Sequence, residues 1–202
     1  MQALKIFPTS INERVVATAV EALSDGQVIL YPTDTVYALG CDALSNRAIE
    51  RLCAIKGVAP DKQLLSIVCA DISQASEYAR IDNRAFRLMK EWLPGPVTFV
   101  LPVSPRLPKV LKGRKTVGVR VPDNAIACAL ARALGHPILS ASVDIDDADE
   151  LASPDAIRMH YAHCADLMVD GGEGGTDHST VVDLTDSASP VILRQGIAEV
   201  EV

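Results

Sequence analysis

The chain has 202 residues, 49% of them hydrophobic, 22% charged and only 4% aromatic, which excludes a disordered or collagen-like chain and fits a domain with one sizeable core. No apolar run reaches the ~20 residues of a membrane span, and the opening MQALKIF lacks the apolar stretch and cleavage site of a signal peptide; a cytoplasmic protein without a membrane partner is expected. The net charge of -7 disfavours nucleic acid overall, yet Arg106, Lys109, Lys112, Arg114, Lys115 and Arg120 make residues 104–120 a basic stripe with no acid, while six acids crowd 144–155.

In chain order, Val16, Ala19, Val20 and Leu23 recur at helical spacing and predict a helix over 13–23, stopped by Asp25-Gly26. An apolar run at 27–31 predicts a buried strand, closed by Pro32 and a polar Thr33-Asp34-Thr35. Ser45 caps a second predicted helix that carries Ala48, Ile49, Leu52, Cys53 and Ile55, and Lys56-Gly57 ends it. A strand over 64–69, helices over 72–78 and 84–92, and strands over 97–103, 117–121 and 138–142 follow, with a helix over 125–134 stopped by Gly135. Residues 144–153 read as an acidic loop, 154–161 as a helix, 167–170 as a strand, 171–175 as a flexible glycine turn, and 180–184 and 191–194 as closing strands. Strands alternating with helices predict one α/β domain over 1–202, a twisted open mixed sheet with helices on its faces.

Candidate chemistry gathers at the ends of predicted strands, where open α/β sheets bind ligands. Hydroxyls and a carboxylate follow the strand at 27–31, and Lys56 and Lys62 flank a loop able to direct two ammonium groups at an anion. Ser140 and Ser142, two residues apart on a strand, face the same side. The run Gly171-Gly172-Glu173-Gly174-Gly175 matches neither a dinucleotide fingerprint nor a P-loop. Five cysteines without a C-x-x-C, and His160-x-x-His163 beside Cys164 without a second cluster, predict no metal centre.

Together, YPTDTVYALGC at 31–41, Lys56 with Lys62, PGPVTFV at 94–100, VGVRVP at 117–122, SAS at 140–142, STVVDL at 179–184 and ILRQG at 192–196 resemble the YrdC/YciO family over 13–197. The resemblance implies a concave basic cleft and a nucleotidyltransferase that makes threonylcarbamoyl-AMP from L-threonine, bicarbonate and ATP. That product feeds threonylcarbamoyl-adenosine modification of tRNA. ATP would enter with Mg²⁺, as substrate rather than as a tightly bound cofactor. By resemblance, Lys56 and Ser142 are catalytic, and Thr33, Thr35, Arg120, Ser179 and Thr180 bind substrate. Lys62, Ser140 and Arg194 contact the nucleotide.

Two positions depart from the family's active branch: Lys56-Gly57-Val58 stands for its Lys-x-Arg, and Ser142-Val143-Asp144 for its Ser-x-Asn. The first removes a guanidinium clamp, and the second puts a negative charge beside an anion site. With Gln63-Leu64-Leu65 after Lys62, these place the chain nearest the YciO branch. They imply either a synthase of weakened activity or a non-catalytic paralogue that binds double-stranded RNA, tRNA or nucleotide through the basic stripe.

Overall fold

The computed structural model describes residues 1–59, 65–108, 111 and 114–201, so Lys62, Lys109 and Lys112 lie outside the described residues. Among them ten strands form one sheet: β1 (Gln2–Lys5), β2 (Ile29–Tyr31), β3 (Ala38–Asp42), β4 (Ser66–Val68), β5 (Val97–Pro102), β6 (Thr116–Arg120), β7 (Ile138–Ser142), β8 (Leu167–Asp170), β9 (Thr180–Asp183) and β10 (Val191–Arg194). Their order is β1-β8-β2-β3-β7-β4-β6-β5-β9-β10, and parallel and antiparallel pairs alternate irregularly along it. The helices are α1 (Glu13–Ser24), α2 (Asn46–Ile55), α3 (Ile72–Tyr78), α4 (Asn83–Trp92), α5 (Ala125–Leu134), α6 (Ala148–Ala152) and α7 (Pro154–His160). The predicted mixed α/β sheet is the fold observed.

Local chemistry sets the helix ends. Asn12, Ser45 and Asn124 each accept a backbone N–H in the first turn of α1, α2 and α5. Gly135 ends α5 at φ +80°, a left-handed conformation that glycine adopts without a Cβ penalty.

Strand register decides what each face carries. Ile29, Gly40, Ser140, Ser66, Gly118 and Val100 form one row across β2-β3-β7-β4-β6-β5, with all side chains on one side. At the β8-β2-β3 end of that face, Ile29, Tyr31, Ala38, Leu167 and Val169 pack beneath α1 and α5. Toward β10 the same face turns polar, and among the described residues no helix core covers it. The opposite face carries Leu30, Leu39, Leu139, Ile67, Val119, Phe99 and Val182, which pack against residues of α2, α4, α6 and α7.

Three elements differ from the sequence expectations. β1 is an edge strand whose side chains are largely exposed, so it lacks an apolar alternation. β3 follows β2 as an antiparallel partner, and its buried run contains Gly40, which disguises it as loop. The acidic stretch contains α6, whose Asp147 cap accepts the Glu150 N–H and whose Asp149 and Glu150 suit the positive N-terminal end of the helix.

Candidate functional site

The uncovered half of the sheet is the floor of a cleft of about 490 Å³, lined by Lys56, Ser66, Thr98, Arg120, Ser140, Ser142, Asp144, His178, Ser179, Leu193 and Arg194 among others. A larger groove of about 930 Å³ lies between α3, α4 and the start of α5, but its walls are mainly apolar and carry three aspartates. Cations and hydroxyls converge in the smaller cavity, which makes it the site of polar chemistry.

Each element delivers its side chain for a local reason. Lys56 is the C-terminal cap of α2, where a cation meets the negative end of the helix, and its ammonium donates to the Ser142 carbonyl at 2.7 Å. The same ammonium is ion-paired with Asp144. Its side chain is 11% exposed while that of Asp144 is 74% exposed. Ser140 and Ser142 stand on one side of β7, as their spacing predicts, and both line the cleft. On β10 an irregularity between Ile192 and Arg194 brings Arg194 opposite Val181 on the cleft side. Its guanidinium donates to the Ser179 carbonyl at 2.8 Å and the Ser179 hydroxyl at 3.3 Å, and Ser179 lies 3.0 Å from the Thr98 hydroxyl.

Arg120, at the end of β6, is 7% exposed and forms the rear wall. Its Nη2 donates to Asp34 at 2.5 Å and Thr35 Oγ1 at 2.7 Å, with Thr33 Oγ1 at 3.5 Å, while its buried Nε has no hydrogen-bond partner among the described residues. A buried donor left open costs about 1–3 kcal/mol.

Thr33 and Thr35 are therefore beside Arg120 but do not line the cleft. Their hydroxyls are committed to one another, to the guanidinium and, for Thr33, to the Val36 carbonyl at 2.7 Å. Thr180 stands outside the cleft as well: strand alternation turns it away from Ser179 and Val181, it is fully buried, and its hydroxyl donates to the Ala198 carbonyl. The glycine run is no phosphate cradle. The N–H groups of Gly171, Gly172, Gly174 and Gly175 donate to Tyr37 Oη, Asp170, Ala152 and Thr35 respectively, and a Cβ on Gly174 or Gly175 would come within 2.8 Å of Tyr37 or Thr35.

Two members of the basic stripe have described surroundings. Arg120 is inside the cleft and Arg106 is ion-paired with Glu77. Val58, the residue in place of an arginine, is partly buried and packs against the core.

Ser66, Thr98 and His178 are cleft residues that the sequence reading missed. Ser66 and Thr98 are lone polar residues within apolar runs, and their only early sign was strand parity with Ser140 through long-range register. His178 directly precedes the Ser179-Thr180 pair and could have been suspected from that position. Burial lowers its pKa, with Arg194, Arg120 and Lys56 adding to the effect and Asp144 opposing it. Burial, then Arg120, also lowers the pKa of Arg194. Arg120 and Arg194 are thus close enough to interact, and with Lys56 also acting on His178 the arrangement suits a multiply charged anion.

Comparison with known proteins gives a consistent result. The Sua5/YciO/YrdC family model, described as "Telomere recombination", matches residues 21–196. The crystal structure of Escherichia coli YciO superposes with a TM-score of 0.90 at 41% identity, covering 98% of this chain and 97% of that one. The crystal structure of Pyrococcus abyssi Sua5 complexed with L-threonine superposes with a TM-score of 0.84 at 34% identity, over 96% of this chain and 57% of that one. A threonylcarbamoyl-AMP synthase of Bacillus subtilis is 35% identical over 196 residues, 93% of this chain and 55% of the longer relative.

Proposed function

Because the chain belongs to the Sua5/YciO/YrdC family, we propose that its cleft condenses L-threonine, bicarbonate and ATP into threonylcarbamoyl-AMP and pyrophosphate, for threonylcarbamoyl-adenosine modification of tRNA. The observation that carries this reading is the convergence of Lys56, Arg120 and Arg194 with five hydroxyl side chains in one cavity. The threonine amine adds to the bicarbonate carbon, water leaves and a carbamate forms. A carbamate oxygen then attacks the α-phosphorus of ATP, the bond to the bridging oxygen of the β-phosphate breaks, and pyrophosphate departs with the electron pair.

Threonine carboxylate, bicarbonate and triphosphate are all anions, so the principal barrier is bringing them together. Fixed cations and hydroxyl donors lower it because they are oriented before the reactants arrive. In this reading Arg120 pairs with the threonine carboxylate and is held by Thr33 and Thr35, while Lys56, Lys62 and Arg194 hold phosphate and carbamate oxygens. Ser140, Ser142 and Ser179 donate hydrogen bonds, and Thr180 acts only by fixing the strand that carries Ser179. Mg²⁺ enters on the triphosphate as part of the substrate. Val58 and Asp144 make the enzyme slower than its active-branch relatives.

Calorimetric titration with MgATP tests the site. Lys56→Ala and Arg194→Ala are each expected to weaken binding by roughly tenfold or more, the scale of one lost charge-assisted contact. Unchanged affinity in both variants would overturn the assignment.

A further inference from the structure

We propose that Tyr31 is a positioning residue that, from inside the core, holds the Ser140 hydroxyl so that its hydrogen points into the cleft as a donor to the bound anion. The inference rests on the reading of the cleft given above and adds to it a residue that touches no substrate.

Tyr31 ends β2 and is fully buried among residues of α1 and α5. Ser140 is two strands away, on β7, with β3 between them. The phenol reaches it across Gly40. A Cβ at that position would lie 2.6 Å from Tyr31 Cε1 and 2.8 Å from Ile138 Cγ2, so glycine leaves the opening through which the ring passes. At the end of that passage Tyr31 Oη donates to Ser140 Oγ at 2.7 Å.

The direction of this hydrogen bond follows from burial. If Tyr31 accepted instead, its own hydrogen would need another acceptor inside an apolar core, and no other acceptor contacts that hydroxyl among the described residues. Ser140 lines the cleft and can send its hydrogen there. Burial also raises the Tyr31 pKa, so the phenol stays neutral and remains a donor. A serine hydroxyl has one hydrogen; with Tyr31 occupying an acceptor position on Oγ, that hydrogen is turned outward before the anion arrives.

Tyr31→Phe removes the hydroxyl and leaves the ring in the Gly40 opening. Titration with MgATP should give a dissociation constant roughly three- to tenfold higher for Tyr31→Phe and for Ser140→Ala. The double variant should be no weaker than Ser140→Ala alone, because both substitutions remove one device. A purely structural Tyr31 would give additive losses, which would overturn the inference, as would an unchanged Tyr31→Phe. Should Tyr31→Phe lower the melting midpoint, the coupling in the double variant still decides. If the parent protein itself fails to bind MgATP, the cleft reading falls and takes the inference with it. A parent that binds beside an unaffected Tyr31→Phe removes the inference alone.

Discussion

Lys56 and Asp144 meet in the cleft, a nearly buried ammonium held by an exposed carboxylate. An arriving phosphate must compete with that carboxylate for the same ammonium. Replacing the charge while keeping the shape, Asp144→Asn, should therefore tighten MgATP binding by roughly three- to tenfold. Unchanged or weaker binding would mean that Asp144 meets the Mg²⁺ of the incoming nucleotide. At this scale the sequence was partly legible. Ser140 and Ser142 were recognisable because a spacing of two on a strand places both hydroxyls on one side, and the register confirms it. Thr180 misled because one residue's difference in strand parity turns a hydroxyl from the cleft to the core. His178, Ser66 and Thr98 were invisible as a group, since only strands far apart in sequence bring them together.

Among the elements, β3 is where local sequence was least informative and the consequence greatest. Its Gly40 looks like a loop residue, yet it pairs with Ser140 and Ile29 in the middle of the sheet and admits the Tyr31 ring. Gly40→Ala would force the ring and Ile138 to move. Overpacking of this kind costs roughly 1–3 kcal/mol, or a melting midpoint lower by several degrees in a chain of this size. Thermal unfolding followed by circular dichroism checks it, and an unchanged midpoint would show that the neighbours relax without loss. The helices were more legible than the strands because caps such as Ser45 and Asn124 and the Gly135 stop are local signals. The short α6 was hidden by its acids, which favour a helix start as well as a solvated loop. β1 was hidden by exposure, because an edge strand pairing only with β8 need not show a buried pattern.

In the molecule as a whole, function follows from unequal cover on the two faces of one sheet. One face is packed along its length, while α1 and α5 cover the other from β8, β2 and β3 as far as Ile138 of β7 and Val68 of β4. The polar remainder of that second face collects Lys56, Arg120 and Arg194 within a chain whose net charge is -7. Such local positive charge in a negative molecule focuses anions on the cleft and leaves the remaining surface unattractive to them. The most direct test of this account measures pyrophosphate released from MgATP by the intact protein, with L-threonine and bicarbonate supplied together and each withheld in turn. Release that requires both co-substrates is the predicted result; release indifferent to either, or none from a protein that binds MgATP, would contradict it.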